Sequence, residues 1–171
     1  MKNIILVLFA FSFINCISQK NETKKFDYTY KEAETILPKP IGLVNDFSFV
    51  FNQHERNELE KLLFDYSQKT TNQIAIVTVK NIEPYTDISD YAKDIGNFWG
   101  VGTREKDNGL IIVMDMSNRT IRISSGLGTE EILSDSFLKK IIDETIIPEF
   151  KQENYYSGIK SGIERIIIEW N

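Results

Sequence analysis

The sequence is poor in the two side chains that carry most enzyme chemistry. One cysteine and one histidine occur in 171 residues, and each scarcity excludes a class of function. A single cysteine cannot close a disulfide within the chain. Because that cysteine, Cys16, directly follows an N-terminal apolar run, no thiolate nucleophile is left for a folded domain downstream. The histidine, His54, falls in the first turn of an expected helix, where a solvated or capping role is its ordinary use, so no histidine-based phosphotransfer is indicated. Neither a Gly-x-Ser-x-Gly elbow nor a phosphate-binding P-loop is present. Any hydrolysis would have to rest on carboxylates and metal-activated water. A basic face is also lacking: 20 Lys and Arg stand against 25 Asp and Glu, for a formal charge of -5. The carboxylates are spread along the chain rather than gathered in a tail, so nucleic acid is not an expected partner.

Long hydrophobic runs are equally scarce. The one candidate, Ile4 to Ile14 after Lys2, is too short to span a bilayer and suits the h-region of a signal peptide. Cys16, in "FSFINCISQK", resembles the lipid-acceptor cysteine of a bacterial lipoprotein signal, although Phe13 and Asn15 replace the usual leucine and small residue. Simple cleavage nearby, with loss of Cys16, is the alternative. The expected organisation is a signal peptide over 1–16, a polar tether over 17–40 ending in "LPKP", and one domain over 41–171. Export to the cell envelope follows, with membrane attachment through the N-terminus only.

Within the domain, the hydrophobic pattern predicts alternating elements. Asn52 and Glu55 have capping-box spacing ahead of Leu59, Leu62, Leu63 and Tyr66, which predicts a helix over about 53–69. "QIAIVTVK" is short, β-branched and apolar, as a strand covered on both faces is; a first strand is expected at Ile41 to Val44. Asp87 can cap a helix carrying Ile88 to Trp99 that ends at Gly100 and Gly102. "GLIIVMD" is a second apolar strand, and a turn at Ser117-Asn118 leads into the alternating "TIRISS", an antiparallel hairpin. Ser134 can cap a helix stopped by Pro148, and a last helix carries Ile159, Ile163, Ile166, Ile167 and Trp170. This order implies a three-layer αβα sandwich with a mixed sheet, its central strands parallel and an antiparallel hairpin at one edge.

The hairpin also predicts a site. It must bring the start of "GLIIVMD" beside the end of "TIRISS", so Asp107 and Asn108 face Gly126, Gly128, Glu130 and Glu131. Carboxylates, an amide and glycine-loop carbonyls are the ligands a hard cation, Ca²⁺ or Mg²⁺, requires. A second reading stands beside it: Asn-Gly as a turn dipeptide, the glycines as suppliers of positive φ, and Glu130 and Glu131 as first-turn acids of a short helix. The spacing is not that of an EF-hand.

Val44-Asn45-Asp46, "FWGVG", "DNGLIIVMD", "RISSGLGTEEILSD" and "IIPEFKQENYYSGI" taken in order resemble the TPM domain family over about residues 41–170. That resemblance implies an αβα sandwich, divalent cation binding and an acid phosphatase activity that is contested. Members are typically exported or lumenal domains attached to membranes, and the plant members are linked to photosystem II repair. Carried across by motif, the family's acidic positions fall on Asp46, Asp107, Glu130 and Asp135. For Asp46 a turn-capping role, and for Asp135 a helix-terminus role, are the alternatives. The chain departs from many relatives in lacking a C-terminal transmembrane helix and glycine-rich tail, and in carrying Ser125 where an aliphatic residue usually precedes the glycine loop.

Two functions are thus expected to compete. One is an extracytoplasmic, divalent-cation-binding module without catalysis, working with envelope or membrane proteins in assembly or quality control. The other is a metal-dependent phosphomonoesterase, for which only Arg104, Lys106 and Arg122 are placed to hold a phosphate dianion.

Overall fold

The computed structural model describes residues 36–171. Cys16, the apolar run before it and residues 17–35 of the expected tether lie outside the described residues. A parallel three-stranded unit is built first. Strand β1 is Val44–Asp46, β2 is Gln73–Val79 and β3 is Gly109–Asp115, with β1 parallel to β2 and β2 parallel to β3. The crossovers between them are helices α1, Gln53–Thr70, and α2, Ile88–Trp99. Strand β4, Thr120–Ser125, returns antiparallel beside β3, so the sheet order is β1-β2-β3-β4. The first strand lies three residues later than expected, because Asn45 turns its side chain back to accept from Ile41 N and to donate to Gly42 O. Residues 41–43 therefore form the bend that leads into the strand.

The caps foreseen from sequence are made. The Asn52 side chain accepts from Glu55 N, and the Glu55 carboxylate accepts from Asn52 N. Asp87 accepts from Ser89 N and Ser134 from Phe137 N. Helix α2 ends where Gly100 takes a φ of 64°, a left-handed turn that glycine adopts without the cost a Cβ brings.

Two cores lie on the two faces of the sheet. Because side chains alternate along a strand, Ile74, Ile76, Leu110, Ile112, Met114 and Ile123 face one way, packing with Leu59 and Leu63 of α1 and with the C-terminal helices. Ala75, Val77, Val79, Ile111 and Val113 face the other, beneath Tyr91, Ala92 and Ile95 of α2. Burying each large aliphatic side chain contributes about 2 kcal/mol, and every residue of β3 is buried. The result is an α/β fold in three layers, with the antiparallel hairpin at one edge.

The C-terminal helices differ from expectation at Pro148. After α3, Leu127–Glu130, helix α4 begins at Asp135 and runs to Ile141. It continues through one π-helical turn, Ile142–Ile146, into α5, Ile147–Phe150. Proline does not stop the helix. It lacks an N–H and its ring needs room near the carbonyl one turn back, and the wider π turn directly before it supplies that room, with Ile147 N bonding to Ile142 O. Helix α6, Tyr155–Glu169, closes the chain, and Tyr66 donates to the Trp170 carbonyl.

The fold takes hold of the chain earlier than residue 41. Leu37 is buried in the α2 core, and the Trp99 indole donates to the Pro38 carbonyl at 2.7 Å. The last residues assigned to the tether are thus part of the domain.

Candidate functional site

The hairpin does bring its two ends together, and the contact is backbone on backbone. Gly126 N donates to Gly109 O, and the Thr129 hydroxyl donates to Gly109 O at 3.1 Å. A Cβ on Gly126 would stand 2.3 Å from the Asp107 carbonyl oxygen, and one on Gly128 would stand 1.9 Å from that of Lys106. The glycines of this loop therefore serve close approach. Gly126 has a φ of -72°, and neither it nor Gly128 is in the positive-φ region, so the reading that they supply left-handed turns is set aside. The residue that does take positive φ is Asp107 itself, at 45°, a conformation that aspartate tolerates better than most side chains.

The five expected acidic and amide positions divide among three places. Asp107 and Glu130 sit on the two clamped segments, both exposed, and neither carboxylate makes a hydrogen bond or ion pair among the described residues. Glu131 is exposed beside them. Asn108 belongs to this end of the sheet but is buried and fully engaged. Its Oδ1 accepts from Thr103 N and the Thr103 hydroxyl, and its Nδ2 donates to Thr71 O and Asn72 Oδ1. It braces its own α2–β3 loop against the loop between α1 and β2, with its amide oxygen and nitrogen both engaged.

Asp46 lies at the other end. It pairs in register with Thr78, which pairs with Met114, whereas Gln73 pairs with Gly109. At about 3.3 Å per residue this separates Asp46 from the Asp107 end by roughly 16 Å along the strands. Its carboxylate accepts from Val50 N, Phe51 N and the Thr78 hydroxyl, which fixes the turn between β1 and α1. Asp135 stands apart from both, at the start of α4, with its carboxylate 3.7 Å from Arg122 on β4. Among the described residues no three His, Cys, Asp or Glu side chains are grouped closely enough to hold a metal ion.

The cations around the hairpin end are largely committed. Lys106 donates to the Thr71 hydroxyl at 2.9 Å. Arg122 pairs in register with Val113, four positions from Gly109, and is turned to Asp135. Arg104 is exposed on the loop. The Ser125 hydroxyl is buried without a hydrogen-bond partner among the described residues. Sequence reasoning missed the supporting set, Thr71, Asn72, Gln73, Thr103 and Thr129. The run "TTNQ" marks a loop, but nothing in it says that Asn108 will be received there.

A family model described as the TPM domain matches residues 44–168. The chain belongs to the TPM domain family. Two relatives share this TPM domain with low identity. One is a chloroplastic UPF0603 protein of Arabidopsis thaliana, 23% identical over 130 residues, covering 76% of this chain and 45% of the relative. The other is the UPF0603 protein YdjH of Bacillus subtilis, 28% identical over 121 residues, covering 71% of this chain and 45% of the relative. The match thus takes in less than half the length of either. Among solved structures, the N-terminal domain of a protein from P. gingivalis superimposes with a TM-score of 0.69 at 24% identity, covering 83% of this chain and 90% of that one. The BA42 protein of Bizionia argentinensis gives a TM-score of 0.62 at 21% identity, covering 73% and 88%. At these identities the structures speak to the fold of the TPM domain alone.

Proposed function

We propose that this TPM domain is a non-catalytic, divalent-cation-binding module that works outside the cytoplasm with envelope or membrane proteins, in assembly or quality control. The observation that carries the reading is the pair Asp107 and Glu130, exposed and unpaired on two segments whose backbones are clamped together. A cation shared by the two would offset the repulsion of bringing two carboxylates to one end of the sheet. They supply too few ligands for a protein-built cage, since Ca²⁺ takes about six to eight oxygens. They fit a cation that keeps much of its water, as Mg²⁺ commonly does. The phosphatase reading is weaker because the dianion needs a positive clamp, and Lys106 and Arg122 are engaged elsewhere.

The test is a thermal melt in Ca²⁺, in Mg²⁺ and in chelator, on wild type, Asp107→Asn and Glu130→Gln. Cation at about 100 times its Kd should stabilise the wild type by roughly 2.7 kcal/mol, and each variant should lose most of that response. An unchanged response in both variants would refute the assignment. A metal-dependent turnover of a phosphomonoester that Asp107→Asn abolishes would establish the enzyme instead. The extracytoplasmic part of the proposal rests on Cys16 and the run before it, and Cys16→Ser should release the protein from the membrane fraction.

A further inference from the structure

The end of the sheet opposite Asp107 carries a cleft of about 360 Å³, between the β3–β4 turn and the joint of α5 with α6. Its floor is apolar: Met114, Met116, Ile147, Phe150 and Tyr155. The floor is firm, because Phe150 and Tyr155 pack edge to face with ring centres 4.9 Å apart. The rim is charged, with Arg119 on the turn and Lys151 and Glu153 on the helix joint. Neither Arg119 nor Lys151 has a side-chain hydrogen bond or ion pair among the described residues. Asp115 also lines the cleft, but its carboxylate is consumed by its own turn, accepting from Ser117 N, Asn118 N and Asn118 Nδ2. Asp115 keeps its charge but is buried and turned into those bonds, so at the accessible rim Glu153 is the one carboxylate beside two uncommitted cations.

We infer that this cleft binds a small amphipathic carboxylate, an apolar chain or ring that ends in one acidic group. The volume lies in the range of small-molecule sites, and such sites pair an apolar lining with a few polar groups that orient the ligand. The apolar portion lies on Met114, Met116 and Phe150, and the carboxylate stands between Arg119 and Lys151. An ammonium head would meet two like charges against the single carboxylate of Glu153. A neutral head would gain nothing from the two exposed cations. Arg119 and Glu153 hold these places at φ values of 51° and 62°, where asparagine or glycine would cost less, so the charges sit where backbone preference does not favour them.

The probe is octanoate added to the full chain, followed by amide NMR shifts and by calorimetry, with octanol and octylammonium as controls. The expected result is a Kd on the order of 1 mM, the reach of about ten heavy atoms, with shifts centred on Arg119, Lys151 and Tyr155. Arg119→Asn, which keeps a residue tolerant of positive φ, and Lys151→Gln should each weaken octanoate about fivefold. Glu153→Gln should tighten it, an opposite sign that a purely structural role for these residues does not produce. Octanol binding as tightly as octanoate, shifts confined to other surfaces, or no response to any of the three substitutions would each overturn the inference.

Discussion

Gly128 approaches Lys106 so closely that the smallest side chain would strike the Lys106 carbonyl oxygen at 1.9 Å. The obstacle is backbone, which cannot swing aside as a side-chain tip can. Gly128→Ala should therefore cost about 3 kcal/mol or more, among the largest effects of a single added methyl group. At Gly162 the added Cβ meets the flexible end of Ile146 at 2.8 Å, and Gly162→Ala should cost less, about 1 to 2 kcal/mol. Denaturant midpoints of the two variants check the order.

Asp46 should behave as a structural residue. Asp46→Ala leaves the amides of Val50 and Phe51 and the Thr78 hydroxyl without their acceptor, and each buried group left unpaired costs about 1 to 3 kcal/mol. A loss of roughly 3 kcal/mol is expected, the same with Ca²⁺ as with chelator. A loss that appears only when cation is present would make Asp46 a ligand.

Glu58 of α1 accepts a hydrogen bond from the Tyr156 hydroxyl of α6, with Lys160 and His54 close by. The Tyr156 bond, aided by the charges of Lys160 and His54, holds the Glu58 carboxyl below its ordinary 4.5. A carboxyl whose folded-state pKa is depressed stabilises the fold above the ordinary value and loses that contribution as pH falls through the folded value. The pair is exposed and screened by solvent, so the effect is small. Glu58→Gln should reduce the fall in melting temperature between pH 6 and about pH 3, leaving the curve above pH 6 nearly flat. An acid limb identical to the wild type would remove the pair from the pH response.

Much of the fold was legible because several levels of the sequence agree. "QIAIVTV" and "GLIIVMD" are too short and too apolar to be anything but strands covered on both faces, and Asn52, Asp87 and Ser134 each mark a helix start that the chain uses. Pro148 misled because the π turn that accommodates it is not written in local preference. It is settled by packing, where Ile146 lies against Gly162 of α6. For the site, hairpin geometry alone put Asp107 opposite Glu130. The same topology separates Asp46 from them, since the end of β1 and the start of β3, which runs parallel to it, lie at opposite ends of the sheet. The cleft beside Arg119 was not legible at all, because it joins a hairpin turn to a helix joint some thirty residues later, a relation only the assembled layers create.

The hydrogen bond from Trp99 to Pro38 has a bearing on which way the domain faces. Trp99 closes α2 just ahead of Val101 and Gly102, and a Cβ on Gly102 would stand 2.5 Å from Gly109 N. The entering chain is thus fastened at the end of the sheet that carries Asp107 and Glu130. In the membrane-anchored form proposed above, a pull on the chain at Pro38 would draw the acidic pair toward the anchor. In that form the Arg119 cleft, at the far pole, would look outward, so the proposed cation and the proposed carboxylate would be held at opposite ends without competing for space.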